Sequence, residues 1–382
     1  MSSLKYWIWL SKLTGVGPAK AKQLLEHFGS PDKVYNSTYR DYSEVTGLKP
    51  ADIKNLMIKD LTDANNILSS CAEIGCRTIT LQDSDYPDRL RNIYDPPLVL
   101  YVKGNLPYID DEVIIGVVGT RQCTPYGIST AENVGCRLST HGAIVVTGLA
   151  RGVDSAVARG ALRGGSPVIG VIGSGLDIIY PPENKQIYDD VSAYGAVISE
   201  YPPGTPAIKT HFPARNRIIS GISLGVAVIE APKHSGALIT AARALEQGRD
   251  VFALPGNVDA VSCEGSNALL REGAIPFISA DDIIDEYIEL YPDKLCIHKE
   301  TDSKKSFDNT SKVDYIVLGN LLGKLDGDEK TIVEKIGLDS LHVDEILSDT
   351  GLPAQDVLSS LTMLELGGII TRDINGKWEI AG

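Results

Sequence analysis

The residues of this 382-residue chain whose types and spacing could do chemistry gather in short stretches that follow apolar runs. One is Gly116-Val117-Val118-Gly119-Thr120-Arg121, and a second is Thr147-Gly148-Leu149-Ala150-Arg151-Gly152-Val153-Asp154. A third, Gly173-Ser174-Gly175-Leu176-Asp177, leads on through Tyr180-Pro181-Pro182-Glu183-Asn184-Lys185. Lys209-Thr210-His211-Phe212-Pro213-Ala214-Arg215-Asn216-Arg217 and Lys233-His234-Ser235-Gly236-Ala237 complete the set. Glycine lets a backbone approach a ligand closely, free amides cradle a phosphate oxygen, and arginine adds a bidentate contact. Taken singly, each stretch reads equally well as a tight turn with a surface cation. Repeated along one edge of a fold, they suit a polyanion better than one small cofactor.

Other chemistries find less support. GxGxxG is absent, since Ile178 stands where Gly173-Ser174-Gly175 would need its last glycine, and no GxxxxGK[ST] occurs. A dinucleotide site and a P-loop ATPase are therefore not expected. Lys233 occupies the first glycine position of a nucleophile elbow around Ser235. His141, His211 and His234 are the histidines of this section. Glu200 and Glu230 each close a strand, where they can form a catalytic pair or simply cap a helix and pair with an arginine. The six cysteines (71, 76, 123, 136, 263 and 296) lack metal-ligand spacing and any CxxC. No catalytic residue, metal or cofactor is expected.

The elements that must position these residues alternate. Apolar runs at Val113–Gly119, Ala143–Thr147, Pro167–Gly173, Ala196–Ser199, Gly225–Glu230 and Asp250–Leu254 predict buried parallel strands. Helix-like segments lie between most of them, at Gly127–Ser139, Asp154–Leu162, Glu183–Ala193 and Ala237–Gln247. This predicts an α/β domain, an extended Rossmann-like doubly wound parallel sheet, over residues 71–290. Its ligands sit at the carboxyl ends of the strands. Residues 1–70 read as helices, with Leu4–Leu13, Lys20–His27 and Ala51–Leu56 carrying apolar residues at helical spacing. Leu13-Thr14-Gly15-Val16-Gly17-Pro18, followed by Lys20 and Lys22, looks like a helix-hairpin-helix turn, though a plain helical turn reads as well. Residues 291–312, rich in Lys, Asp, Ser and Thr, are the expected linker. Over 313–382, helices at His342–Leu347 and Ala354–Leu366 and two short strands outline a winged helix.

Charge refines the picture. Asp and Glu number 50 against 36 Lys and Arg, a net −14. Residues 276–382 hold 22 of those acids and only 10 of the bases, whereas residues 113–275 hold 13 of each. The acidity therefore does not argue against a polyanion in the middle of the chain. It argues against one at helix Ala354–Leu366, which has no Arg or Lys. No run of 18 apolar residues exists, so no membrane span is expected. The start Met1-Ser2-Ser3-Leu4-Lys5 and the scattered cysteines point to a cytoplasmic, reduced location.

Read in order, the longer motifs resemble the DprA/Smf family of DNA-processing proteins. The resemblance runs through Asp85-Tyr86-Pro87-Asp88-Arg89-Leu90, Pro96-Pro97-Leu98-Val99-Leu100-Tyr101, Gly119-Thr120-Arg121 and Thr147–Asp154. It continues through Gly175-Leu176-Asp177, Tyr180-Pro181, Phe212–Ile219, Ser235–Thr240 and Gly248–Gly256. It implies a non-enzymatic recombination mediator of natural transformation that binds single-stranded DNA and loads the RecA recombinase onto it, including strands coated with single-strand-binding protein. It further implies a homodimer through the Rossmann-like domain, with dimer and RecA surfaces roughly within residues 225–280. Carried over by position, the DNA-binding candidates are Gly119, Arg121, Gly148, Gly152, Lys185, Arg215, Asn216 and Arg217. Arg151 and Lys209 are added from position and charge. Family members often have Lys or Arg directly before the Ser-Gly pair, where this chain has Lys233 and then His234. Either Lys233 substitutes from one position away, or His234 makes DNA affinity pH-sensitive. Two rival readings are a Rossmann-like nucleotide hydrolase and a winged-helix regulator of duplex DNA. The first lacks its PGGxGTxxE loop, as Leu254-Pro255-Gly256-Asn257 shows, and the second is disfavoured by the acidic helix.

Overall fold

The structure, a computed structural model, describes residues 3–296, 325, 327–336, 341–350, 352–367, 369–372 and 377–380. It divides into two compact units, Met1–Lys299 and Glu300–Gly382.

The first unit opens with six helices: α1 (Leu4–Lys12), α2 (Pro18–Phe28), α3 (Pro31–Asn36), α4 (Tyr39–Ser43), α5 (Pro50–Leu56) and α6 (Thr62–Glu73). Proline starts three of them at a position where its missing N–H costs nothing. Trp7, Ile8, Trp9 and Leu10 of α1 are buried. They join Leu24, Leu56 and the strand residues in one continuous core, so the helical segment is not separate from the sheet.

That sheet has nine strands. β1 (Arg77–Thr80) and β2 (Val99–Gly104) are followed by β3 (Ile114–Val118), β4 (Ile144–Thr147), β5 (Val168–Val171) and β6 (Ala196–Ser199). β7 (Gly225–Val228), β8 (Asp250–Ala253) and β9 (Ile275–Pro276) complete it. The spatial order is β1-β2-β6-β5-β4-β3-β7-β8-β9. From β6 to β9 every pairing is parallel, as in Ile115 opposite both Val145 and Gly225. Apolar side chains on both faces are what such a sheet needs, since helices cover each side. The six expected strands are all present. The chain winds outward from β3 through β4 and β5 to β6, then returns to place β7 on the other side of β3. A topological switch point, the usual ligand position of such sheets, therefore lies between β3 and β7.

Two features depart from the sequence expectation. β1 and β2 extend the sheet as antiparallel strands beside β6, and only the four-residue α7 (Asp88–Arg91) lies between them. The strand-then-long-helix rhythm that marked the others is thus missing there. Residues 291–296, the start of the expected linker, pack onto the core: Leu295 is buried and the Cys296 amide donates to the His141 carbonyl at 3.1 Å. Residues 297–312 lie outside the described residues.

The remaining helices of this unit include α8 (Pro125–Thr140), α9 (Val153–Gly164), α10 (Lys185–Tyr194), α11 (His211–Ile222) and α12 (Gly236–Glu246). In the second unit, helices Gly327–Ile336, Val343–Thr350 and Ala354–Leu366 precede an antiparallel hairpin of Ile370–Arg372 and Trp378–Ile380. Ile332, Ile346, Val357, Leu361 and Trp378 are among its core residues. This is the winged helix read from the sequence. Among the described residues, no helix is long and apolar enough to cross a membrane.

Candidate nucleic-acid interface

The loops that follow β3, β4, β5 and β6 leave the same edge of the sheet, because those strands run parallel. Their glycines are explained by the protein itself before any ligand is considered. A side chain at Gly119 would strike Val153 of α9 at 2.5 Å, and one at Gly148 would meet the Arg215 guanidinium and the Asp154 carboxylate. Gly152 has φ +75, a conformation L side chains avoid, and lies against the Thr120 carbonyl. These three glycines fold the loops tightly onto one another, which corrects the view that they mainly clear space for a ligand.

Arg215 and Arg217 require a second correction. The sequence around them reads as a cationic loop, yet it forms α11, with Pro213 accommodated in the first turn. Two residues apart, they leave the helix on nearly opposite sides, yet the structure covers both, and they are 3% and 4% exposed. Arg217 donates to both carboxylate oxygens of Glu200, at 2.8 and 2.7 Å, and pairs with Asp95 at 3.2 Å. Burial opposes its charge, and Glu200 more than restores it, so the guanidinium stays cationic. Arg215 donates to the Val171 carbonyl and faces Asp154 across Gly148. Burial pulls its pKa down to about 10, against the pull of Asp154, and burial likewise pushes the Asp154 carboxyl up. Both arginines are held by groups of the protein itself, Arg217 by Glu200 and Asp95 and Arg215 by the Val171 carbonyl.

The two glutamates take the plainer of their two readings. Glu200 is the partner of Arg217. Glu230 accepts from the Thr124 amide at 2.9 Å and the Thr124 hydroxyl at 2.6 Å, fixing the residue that caps α8. Asp154 does not cap its helix; it accepts from the Ala150 amide and steadies the turn of the second loop.

What remains at the surface is a set of cations and rings. Arg121 is exposed and its guanidinium lies 4.9 Å from the centre of the Phe212 ring. Arg151 sits 6.0 Å from the centre of the Tyr180 ring, and the two rings are 5.6 Å apart. Arg121, Gly148, Arg151, Tyr180, Pro181 and Phe212 line one shallow hollow. Tyr180 is 42% exposed. Its ring and that of Phe212 were not among the sequence candidates. Tyr180, exposed, and Phe212, half-buried, offer ring faces on which bases can stack, and the cations beside them offer contacts to phosphates.

The other candidates are more peripheral. Lys185 is exposed and engaged with Asp189 at 2.7 Å, and Arg151 is itself paired with Glu183. Lys209 and Lys233 are exposed, with no carboxylate partner among the described residues. Asn216 is half-buried and donates to the Gly236 carbonyl at 3.4 Å, linking α11 to the start of α12. His234 is exposed beside Lys233.

The N-terminal hairpin borders a separate cleft of about 380 Å³, between Leu13–Pro18 and residues that include Pro97, Leu98, Glu200, Tyr201 and His211. Lys20 of that hairpin is held by Asp52 at 2.6 Å and by the Gly15 carbonyl. Its ammonium keeps the Asp52 carboxyl below the usual carboxylate range. This cleft is larger than the hollow but poorer in cations, so the hollow is the better place for a polyanion.

Comparison with known proteins agrees with the two-part architecture. Residues 77–288 match the family described as DNA recombination-mediator protein A, and residues 321–374 match the DprA winged helix domain. The chain is 31% identical to protein Smf of Synechocystis sp. over 99% of both chains. It is 40% identical to DNA processing protein DprA of Bacillus subtilis, over 63% of this chain and 82% of that relative. The X-ray structure of DprA from Streptococcus pneumoniae matches with a TM-score of 0.66 at 36% identity, covering 75% of this chain and 99% of that one. A structure of DNA processing protein A from Helicobacter pylori, described for its single-stranded DNA binding mode, matches with a TM-score of 0.52 at 28% identity. It covers 56% of this chain and 97% of its own. With the α/β unit and the winged helix both matched, and one relative matched from end to end, the chain belongs to the DprA/Smf family of DNA recombination-mediator proteins.

Proposed function

We propose that this protein binds single-stranded DNA along the carboxyl edge of its sheet and acts there as a mediator, loading RecA recombinase onto the strand. The observation that carries this reading is the pairing of exposed cations with aromatic rings, Arg121 with half-buried Phe212 and Arg151 with exposed Tyr180, around one hollow. A single strand presents both phosphates and unstacked bases; a duplex hides the bases inside its stack. The H. pylori relative, described for its single-stranded DNA binding mode, supports the choice of ligand. No step of bond breaking is assigned to the site, because both glutamates are committed to Arg217 and Thr124.

Binding of labelled oligonucleotides across a salt series tests the first part. The single strand is preferred over duplex of the same sequence, and affinity falls as salt rises. Equal affinity for both forms would overturn it. Loading of RecA onto a strand covered with single-strand-binding protein, followed by RecA's ATP hydrolysis, tests the second part. Unchanged kinetics with and without this protein would remove it. The mediator acts as a homodimer through its α/β unit. Support comes from large apolar side chains left exposed between residues 239 and 278, among them Val258 at 85%, Val261 at 67% and Ile278 at 79%. Sedimentation of wild type and Val258→Asp checks this, with a monomer expected only for the variant.

A further inference from the structure

α6 ends in a turn that brings two thiols together. Gly75 has φ +65, the Gly75 amide donates to the Ala72 carbonyl at 3.3 Å, and the Cys76 amide donates to the Cys71 carbonyl at 2.9 Å. This nested pair of hydrogen bonds, with a left-handed glycine between, is a Schellman motif. Its geometry sets the side chain of the residue after the glycine against the side chain five positions earlier, usually as an apolar contact. Here those two residues are Cys71 and Cys76.

The surroundings favour sulfur chemistry. Cys71 is buried, while Cys76 is half-buried at the entrance to β1. The Cys76 thiol first of all, and after it the Thr78 hydroxyl, hold the Cys71 thiol below its ordinary value in spite of burial. Cys76 is pushed up correspondingly, first by Cys71 and then by burial. Tyr101 of β2 is 1% exposed, and its hydroxyl has no hydrogen-bond partner among the described residues. After burial itself, the groups that act on that hydroxyl are these same two sulfurs. Both sulfurs therefore lie within electrostatic reach of that buried, unpartnered hydroxyl.

We propose that Cys71 and Cys76 form a redox-active dithiol that closes to a disulfide by exchange with low-molecular-weight disulfides such as oxidised glutathione. Cys76, the accessible sulfur, forms an S–S bond to one half of glutathione disulfide as the glutathione S–S bond breaks. Its proton leaves with the first glutathione thiol. The Cys71 sulfur then attacks Cys76 Sγ, forming the internal bond and releasing the second glutathione, which carries away the Cys71 proton. Two thiols are oxidised and one glutathione disulfide is reduced to two thiols. The bond locks the junction between α6 and β1, where the helical segment enters the sheet.

The test uses the full-length protein in glutathione buffers of rising oxidation, followed by alkylation, trypsin digestion and mass spectrometry. No Lys or Arg lies between Lys59 and Arg77, so both cysteines fall within one peptide, Asp60–Arg77. In wild type this peptide loses two hydrogens and can no longer be alkylated, at a potential where Cys263 remains alkylatable. In Cys71→Ser the same peptide accumulates as the glutathione adduct of Cys76, because no second thiol resolves it. In Cys76→Ser, Cys71 stays reduced. The proposal is overturned if the wild-type peptide remains fully alkylatable while the exposed Cys296 takes up glutathione. It is equally overturned if Cys71→Ser, folded by circular dichroism, forms no adduct at Cys76.

Discussion

The carboxyl edge of the sheet and the helix Ala354–Leu366 are both places where their architectures commonly meet a nucleic acid or its phosphates. Their side chains differ sharply. The sheet edge offers Arg121, Arg151, Lys209 and Lys233 at the surface, with the Tyr180 and Phe212 rings between the arginines. The helix offers Asp356 and Glu365, together with Leu358 and Met363 exposed at 54% and 59%, and no cation. Architecture marks a location; the residues decide what binds there. One edge has the side chains that the proposed strand of phosphates and bases would need. The other is suited to a partner with apolar and basic character.

The contrast would be blurred if every arginine at the sheet edge counted as a surface contact, so the largest expected effect separates them. Arg217→Ala leaves Glu200 and Asp95 facing an uncompensated, largely buried space, which costs about 3–5 kcal/mol of stability. Urea denaturation should show a clearly lower midpoint. DNA affinity, corrected for the folded fraction, should be little changed. Arg121→Ala should keep the wild-type stability within about 0.5 kcal/mol, as for an exposed residue, and lose DNA affinity instead. If Arg217→Ala were as stable as wild type, the buried reading of α11 would fail.

This difference also marks where the sequence could and could not be read. Continuous apolar runs at Val113–Gly119 and Gly225–Glu230 pointed to strands buried on both faces, because they are short, rich in Val and Ile, and bounded by glycine. The loops after them were legible for the same reason. α11 was not, because His211-Phe212-Pro213-Ala214-Arg215-Asn216-Arg217 combines a proline with two cations, and both features read as loop. Only packing shows that Glu200 and the Val171 carbonyl wait for those guanidinium groups. β1 and β2 were hidden by the lack of a long helix between them. The rings of the hollow were hidden because Tyr180 and Phe212 are distant in sequence and meet only through the loops.

The next largest effect sharpens the sheet edge itself, by dividing stacking from charge. Phe212→Ala should weaken single-strand binding by about 1–3 kcal/mol, the usual cost of a lost base stack, and leave the salt dependence unaltered. Arg121→Ala should weaken it comparably but also reduce the slope of log affinity against log salt by about one phosphate's worth. An oligonucleotide with abasic positions should bind the Phe212→Ala protein and wild type alike. Equal salt slopes for wild type and Arg121→Ala would mean that Arg121 contacts no phosphate.

A smaller effect concerns Arg151, whose guanidinium the proposed strand would have to share with Glu183. Glu183 accepts its hydrogen bond and raises its pKa, at positions where both side chains are about half exposed. Exposed pairs of this kind contribute little, because water screens them. Glu183→Gln should therefore free the arginine and tighten single-strand binding severalfold at low salt, with the gain shrinking as salt screens it. Weaker binding would show that Glu183 positions Arg151 instead of competing for it.

The smallest expected effect lies at the other pole of the comparison. Leu358 and Met363 leave apolar surface open on a helix whose buried side, Val357, Leu361 and Leu364, is already filled by its own unit. Removing them should therefore cost little stability, since exposed side chains contribute little to folding. The double substitution Leu358→Ser with Met363→Ser should leave the affinity for single strands and for duplex within about two-fold, because neither side chain offers a phosphate anything. Any function of this helix that depends on a protein partner should be lost in the same variant, and co-sedimentation with the recombination machinery can read that loss. A clear fall in duplex affinity would instead place DNA on this helix in spite of its charge, and the contrast between the two regions would have to be redrawn.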